Sequence, residues 1–371
     1  MKTETGRISS LQYMFCIACF IQSSALLSSF FVPLTKQDSW MSVLAGILLA
    51  SPLLMIYLGL MRRFPGKTLI EINEAVFGRV FGFVVSLLYI WFMMSLFTLN
   101  LLDIGQLVKK TIMVDTPLIA LISLCILVCA YAVYHGIRVV ARYSFVFALL
   151  AVFVVITSTL FTLNFWRFEN FLPMFDQSVM HYVQSMHLAT TIPFGEVVVF
   201  LMIAPYVQRN KKGLARYAFG GLLIGGMTVL GVVVRDTAVL GNVLSFFSIP
   251  PFETQRMAVL AEGLNRLEIL YIIILIVLLF FKVLILYYVS VMAVTQLFKL
   301  GSHRLVIPLA GALCVAYATF IYPSEIAHVI AARGETAQLW TVFQLCLPLF
   351  TLIVSAARKP PKKQSKSAEA A

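Results

Sequence analysis

Long apolar runs, each close to the length of a membrane-spanning helix, fill most of this sequence. A helix needs about 20 apolar residues to cross the hydrocarbon core of a bilayer, and ten runs approach that length. Hydrophobic residues make up 61% of the 371 residues and charged residues only 12%, whereas a soluble domain has about 45–50% and about 25%. The runs are continuous rather than alternating, which excludes a transmembrane β-barrel. The sequence therefore predicts an all-α polytopic membrane protein.

The ten runs predict a single transmembrane domain over residues 1–357, made of two five-helix halves at about 11–163 and about 184–357. A surface helix is expected at about 66–78, and the outer connection at about 235–267 is expected to hold another. Residues 358–371 are basic and rich in small residues, which predicts a disordered cytoplasmic tail. The predicted spans are 11–34, 40–61, 80–105, 117–134, 140–163, 184–207, 214–234, 268–297, 304–322 and 337–357.

The basic residues are distributed unevenly over the loops between the spans. Of the 28 lysines and arginines, nineteen fall on the side of the two termini, eight fall on the opposite side and one, Lys282, lies inside a span. Because cytoplasmic loops carry the excess of basic residues, both termini are predicted to be cytoplasmic. The net charge of +12 is thereby explained as a topology signal. No nucleic-acid motif accompanies it, so nucleic acid is not an expected partner.

The sixth span is interrupted by Pro193-Phe194-Gly195-Glu196. Proline removes a backbone donor and glycine loosens the helix, so Pro193 and Gly195 predict a helix break. Glu196 places a carboxylate at membrane depth, which is costly unless it faces a cavity or a partner, and this makes it a candidate functional residue. Many secondary transporters build a midplane binding site from a broken helix of this kind.

The first span contains a second polar interruption, Gln22-Ser23-Ser24. Interruptions at corresponding positions of two halves are the best sequence indication of a transporter-type site. The free backbone groups and half-helix dipoles at two such breaks suit a zwitterion such as an amino acid. In the structural alternative, the serines bond back to their own helix and Gln22 packs between spans.

Lys282 lies near the middle of the eighth span, roughly 20 Å from either end at the helical rise. That distance is too long for its ammonium group to reach the interface easily. One interpretation is that Lys282 serves the site as a fixed or titrating charge. The other is that it is a structural counterion, for which Glu196 is the obvious partner.

Four further residues in two places carry polar or charged groups. Asn100 and Asp103 lie on the outer part of the third span, and Asp103 is close enough to the interface to be either solvated or part of a site. Arg266 and Glu268 flank the start of the eighth span, where an interfacial ion pair is the preferred interpretation.

Catalytic motifs are missing from the sequence. The five histidines are scattered without the His-Glu-x-x-His spacing of a zinc enzyme. The sequence contains no Walker-type phosphate loop and no nucleophile elbow. We therefore expect neither a metal nor a cofactor, and the chain is not expected to be an enzyme.

Short segments of the sequence, taken in order, resemble the spore germination permease family, the B subunits of nutrient germinant receptors. The resemblance covers Ile8 to about Lys359, and its order and spacing on ten spans are more specific than any one segment. The matching segments are Ile8-Ser9-Ser10-Leu11-Gln12, Pro65, Phe77-Gly78, Thr116-Pro117, Asn170-Phe171-Leu172-Pro173, Phe194-Gly195-Glu196 and Arg266-Leu267-Glu268.

The resemblance implies membership of the amino acid–polyamine–organocation superfamily. It implies a LeuT-like fold with a 5+5 inverted repeat, broken helices 1 and 6, and a ligand pocket between them that spans 3 and 8 close. It also implies a location in the spore inner membrane beside an A subunit and a lipoprotein C subunit, and a role in sensing a small nutrient such as an amino acid. Carried over by position, the pocket residues are Gln22, Ser23, Ser24, Asn100, Phe194, Gly195, Glu196 and Lys282.

One segment departs from the family pattern, which often has a small glycine-rich break in span 1 where this chain has Gln22-Ser23-Ser24. The bulkier, more polar break weighs against a simple assignment to L-alanine. Two alternative functions remain open at the level of sequence. One is a proton-coupled amino acid transporter in which Glu196 or Lys282 carries the coupling charge, and the other is an ion or water conduit opened by ligand.

Overall fold

The computed structural model describes residues 8–208, 213–262 and 267–357, and within these ranges the chain is helical almost throughout. No β-strand occurs in this part of the chain, which confirms the all-α prediction. The predicted tail, residues 358–371, and Arg266 lie outside the described residues. The α-helices are α1 Ser10–Gln22, α2 Ser28–Thr35, α3 Ser39–Arg63, α4 Leu69–Thr111, α5 Leu118–Tyr134, α6 Ile137–Thr162, α7 Val179–Ala189, α8 Leu214–Leu240, α9 Pro250–Glu262, α10 Leu267–Leu297, α11 Val306–Phe320, α12 Glu325–Ala331, α13 Ala337–Thr341 and α14 Leu347–Ala357.

Eight helical segments in the described ranges are long and apolar enough to cross a membrane. The chain is therefore a multi-pass membrane protein. The predicted fourth span is the shorter apolar helix Leu118–Tyr134. The predicted first span is divided between α1 and α2, because a 3₁₀ segment separates them. The full count of ten spans and their division into two repeats stay predictions.

The first predicted break is confirmed at Ser23–Leu27, where the chain passes from α-helix into a 3₁₀ turn before α2 begins. Helix α1 starts with a capping box. The Ser9 hydroxyl accepts from the Gln12 amide, and the Gln12 side chain accepts from the Ser9 amide at 2.8 Å. Such reciprocal bonds satisfy two amides that a helix start leaves without partners. The capping box gives a physical reason for Ser9 and Gln12 within the matching segment at the start of the chain.

The second predicted break is confirmed in span 6. Helix α7 gives way to a π-helical turn, Thr190–Phe194, and then to a 3₁₀ helix, Gly195–Met202. Pro193 lies inside the π-helical turn and has no amide hydrogen to donate, so the regular hydrogen-bond ladder cannot continue through it. The two broken spans meet again at their far ends, where Ile8 pairs with Val207 in an isolated parallel bridge.

Helices are present at both places where surface helices were predicted, and their position at the membrane surface stays a prediction. Gly78, near the start of α4, has φ of 81° and separates a short leading helix from the long apolar part of α4. The expected helix in the outer connection is α9. Helix α10 occupies the centre of the bundle, packs against α1, α4 and α6, and carries Lys282 in its middle.

Candidate functional site

Glu196 and Lys282 form a buried ion pair at the second break. The Lys282 Nζ atom lies 2.6 Å from Glu196 Oε2, and the exposed fractions of the two side chains are 0% and 3%. This confirms the partner expected for Lys282. Opposite charges attract strongly where water is excluded, and removing either one would leave the other charge buried without compensation.

Ser24 brings the first break into the same cluster. Its hydroxyl accepts a hydrogen bond of 2.9 Å from Lys282 Nζ. The ammonium group also lies 5.0 Å from the centre of the Phe20 ring, a distance at which a cation is attracted to an aromatic face. Lys282 thus links α10 to both broken spans at once. A cation held between two helix breaks can respond to any ligand that competes for Glu196.

Span 10 holds the irregular backbone of the second break in place. The Gln344 side chain donates from Nε2 to the Thr191 carbonyl oxygen at 3.0 Å. The Tyr57 hydroxyl in turn donates to the Gln344 carbonyl oxygen at 2.6 Å. A carbonyl that loses its helical partner beside a proline needs such a donor, because an unpaired polar group buried in a membrane protein is costly.

Position 195 requires glycine because the Gln344 side chain lies very close to its backbone, and not because of its backbone angles. A Cβ atom at this position would lie 2.1 Å from Gln344 Oε1 and 3.3 Å from the Thr190 carbonyl oxygen. No side chain can occupy that space unless Gln344 moves and gives up its bond to Thr191. The glycine therefore permits the contact that fixes the break.

We expect Gly195→Ala to lower stability by about 1–3 kcal/mol, the cost of leaving a buried carbonyl without a donor. The measurement is thermal unfolding of the purified chain in detergent. Gly231→Ala is the matched control, because a Cβ there would meet only a Val155 methyl carbon at 3.9 Å. Equal unfolding temperatures for the two variants would contradict the role assigned to Gly195.

The structure places the other predicted pocket residues around the pair without joining all of them to it. Gln22 donates from Nε2 to the Thr228 hydroxyl at 3.0 Å and to the Ala148 carbonyl oxygen at 3.3 Å, so it links α1 to α6 and α8. Ser23 donates to the Phe20 carbonyl oxygen of its own helix at 2.7 Å. For these two residues the geometry matches the structural alternative. Their contact with a ligand stays a prediction.

Asn100 and Phe194 are buried but lie in packing contacts. Asn100 donates to the Leu96 carbonyl oxygen within α4 at 2.9 Å. The Phe194 ring lies in the narrow gap where α3 and α8 present Gly46 and Gly226. Any contact of either side chain with a ligand also stays a prediction.

Arg235 is the largest departure from the sequence prediction, which counted it among the loop charges of the outer side. Helix α8 continues to Leu240, and Arg235 is completely buried within it. Its Nη2 and Nε atoms lie 2.6 Å and 2.9 Å from Asp236 Oδ1. Its Nη1 donates to the Ser158 hydroxyl at 2.7 Å, and the guanidinium carbon lies 5.0 Å from the Tyr271 ring centre. With Arg235 inside the helix, the outer loops hold one basic residue fewer. The excess of basic residues stays on the side of the two termini.

Removing only one member of this second pair should be strongly destabilising. We expect Arg235→Met to lower stability by about 3–5 kcal/mol, because Asp236 would remain buried and uncompensated. The double change Arg235→Met with Asp236→Leu should recover most of that loss, as apolar replacements of whole buried pairs often do. Thermal unfolding in detergent is the measurement. A double variant as unstable as the single one would show that the pair contributes more than charge balance.

Solved structures of known proteins share this fold. Mhp1, a nucleobase-cation-symport-1 family transporter solved in a closed conformation with bromovinylhydantoin bound, matches 93% of this chain and 80% of its own length, with a TM-score of 0.64 and 10% identity. A manganese transporter from Eremococcus coleocola matches 91% of this chain and 78% of its own, with a TM-score of 0.53 and 11% identity. The chain therefore has the fold of membrane transporters of the LeuT-like type.

A family model described as spore germination protein matches residues 7–326. The chain belongs to this family of membrane germination permeases, which is not a family of enzymes. Spore germination protein KB from Bacillus subtilis (strain 168) is 28% identical over 380 residues, covering 99% of each chain. Spore germination protein YndE from the same strain is 22% identical over 381 residues, covering 98% of this chain and 100% of its own. The family resemblance read from the short segments is confirmed.

Proposed function

We propose that this chain is the membrane-embedded B subunit of a spore nutrient germinant receptor, and that it binds an amino acid or a similar small nutrient at the Glu196–Lys282 pair. The pair itself is the observation that carries the proposal. It combines one buried charge of each sign with a hydroxyl from the other break. The α-ammonium of an amino acid complements Glu196 and the carboxylate complements Lys282 and Ser24, so a zwitterion can replace each partner of the ion pair with a new one.

Ligand binding would then shift the protein between two conformations. Both side chains of the pair are buried, with exposed fractions of 0% and 3%, and neither of them lines the small cavity of about 20 Å³ beside Gln22, Thr228 and Tyr271. A nutrient can therefore reach the pair only if the broken helices move relative to α10. A zwitterion favours the open conformation because it can bind the two charges once they are separated. It makes no such contacts while the two side chains are paired with each other.

The germination relatives support the remaining elements of the proposal. The domain would extend over residues 1–357, with inverted five-helix repeats at about 11–163 and about 184–357, and the basic tail at 358–371 would follow it. It would lie in the spore inner membrane with both termini on the core side, and an A subunit and a lipoprotein C subunit would read the conformational change.

Germination of a deletion strain tests the receptor role. In a host whose other receptors of this family have been removed, we expect loss of this gene to abolish the germination response to a subset of amino acids. Reintroducing the unaltered gene should restore that response. Unchanged responses to every nutrient in the panel would contradict the proposal. Recovery of the tagged chain from spore membranes without A and C subunits would contradict the proposed assembly.

A proton-coupled amino acid transporter is the second candidate, and the fold favours it because the solved structures that share the fold are transporters. In that case Glu196 or Lys282 would exchange the coupling proton. Saturable amino acid uptake into liposomes, driven by a pH gradient and lost in Glu196→Gln, would establish transport. Binding without uptake would favour the receptor.

A further inference from the structure

A second cavity lies at the end of the bundle where the α8–α9 connection crosses it, on the side predicted to be outer. Its volume is about 280 Å³, near the lower end of the roughly 300–1,000 Å³ range of ligand pockets. Its walls come from α2, α4, α12 and the segment before α9. The cavity therefore has room for one small molecule beside the outer half of the broken first span.

Charges of both signs line this cavity. Asp103 and Lys110 lie about two turns apart on α4 and so share one face of that helix. Arg333, in the helical turn that follows α12, completes a set of two bases and one acid, and His328 Nδ1 lies 3.9 Å from Asp103 Oδ1. With neutral histidine the lining carries a net positive charge, which favours a carboxylate. Asp103 provides the complement for an ammonium group.

The backbone around Arg333 is irregular at this place. Ala332–Thr336 forms a π-helical turn, a feature that frequently occurs at functional sites. Arg333 Nε donates to the Phe30 carbonyl oxygen of α2 at 3.0 Å. The Phe30 ring contacts the His328 ring edge to face, with centres 5.9 Å apart. A ligand that binds Arg333 would therefore act directly on the outer half of span 1, only two helical turns from Ser24.

We propose that this cavity is a second binding site, which takes a small zwitterionic α-amino acid before it reaches the Glu196–Lys282 pair. The inference rests on the proposed function and adds a site that the ligand would occupy on its way to the midplane. Lys110 and Arg333 bind the carboxylate, Asp103 faces the ammonium group, and the side chain of the ligand packs against Phe30 and Phe247. A ligand lacking either charge would lose one half of these contacts.

Equilibrium binding of radiolabelled amino acids to the purified full chain tests the second site. We expect two molecules per chain for the amino acids that bind. Lys110→Gln should leave the molecule at the Glu196–Lys282 pair bound. It should lower the affinity of the second site at least about tenfold, as expected when a charge-assisted hydrogen bond is removed. Lys110 is exposed, so this variant should fold normally. Lys109→Gln is the control. The Lys109 side chain is also exposed but does not line the cavity, so this variant should bind both molecules.

The outcomes separate this inference from the proposed function. One molecule per chain, lost in Glu196→Gln and unaffected by Lys110→Gln, would overturn the second site and support the midplane site. One molecule lost in Lys110→Gln and retained in Glu196→Gln would overturn the midplane assignment. Identical binding by the Lys110→Gln and Lys109→Gln variants would overturn the second site, whatever the stoichiometry.

Discussion

Glu196→Gln is expected to abolish the nutrient response of spores while the protein accumulates at its normal level. The glutamine keeps the shape of the side chain and an oxygen that can accept a hydrogen bond from Lys282, whose ammonium group also donates to Ser24, so the protein stays folded. It loses the negative charge, so neither Lys282 nor the ammonium group of a ligand retains its counter-charge. Hydrogen bonds to charged groups contribute about 1.5–3 kcal/mol. We therefore expect no response at the nutrient concentrations that germinate the unaltered strain, because the concentration needed rises at least about tenfold. The measurement is loss of spore optical density across a concentration series.

The control for this change is Glu169→Gln, which makes the same chemical replacement at an exposed position between α6 and α7. It should germinate as the unaltered strain does. Immunoblots of spore membranes must show equal amounts of the unaltered, Glu196→Gln and Glu169→Gln chains. A Glu196→Gln protein that is present at the normal level and germinates normally would refute the assignment of Glu196 to the ligand site.

Lys282→Met is expected to produce the largest loss of stability among single changes at the midplane. Without the ammonium group, Glu196 remains as a buried and unpaired carboxylate, which costs about 3–5 kcal/mol in comparable buried pairs. The double change Glu196→Leu with Lys282→Met should recover most of this stability, because it removes both charges. It should not recover the nutrient response, because the groups that bind the ligand are absent. Thermal unfolding in detergent and spore germination are the two measurements.

The contrast between the two buried pairs makes this prediction specific. The double change at Arg235 and Asp236 should recover both stability and response, because nothing in the proposal assigns ligand contact to that pair. Lys109→Met, an exposed replacement, should change neither property. If the double variant at Glu196 and Lys282 responds to nutrient, the midplane pair is structural and the ligand binds elsewhere.

The sequence could predict the midplane pair because each of its charges stands alone within a long apolar run. A lone Glu196 beside Pro193 and Gly195, and a lone Lys282 in the middle of span 8, leave few partners other than each other. The helix breaks were predictable for a similar local reason, since proline followed by glycine in one run, and clustered polar residues in the other, oppose a regular helix.

The contacts that hold the site together were not predictable from local patterns. Gln344 supports the break at Thr191 from 153 positions away along the chain, and no periodicity reports such a pairing. Gln344 is one of two side-chain amides in the tenth apolar run, and that was the one available signal. Arg235 was misplaced because adjacent charges at the end of an apolar run normally mark the membrane interface, whereas here Asp236, Ser158 and Tyr271 surround the guanidinium group.

Equilibrium binding of a panel of radiolabelled amino acids to the purified chain and to its Glu196→Gln variant tests the midplane site itself. We predict saturable binding of at least one amino acid to the unaltered chain and loss of a midplane-bound molecule in Glu196→Gln. Glu169→Gln should bind as the unaltered chain does. Absence of binding to the unaltered chain, or equal binding by Glu196→Gln and Glu169→Gln, would contradict the assignment of an amino acid site to the Glu196–Lys282 pair.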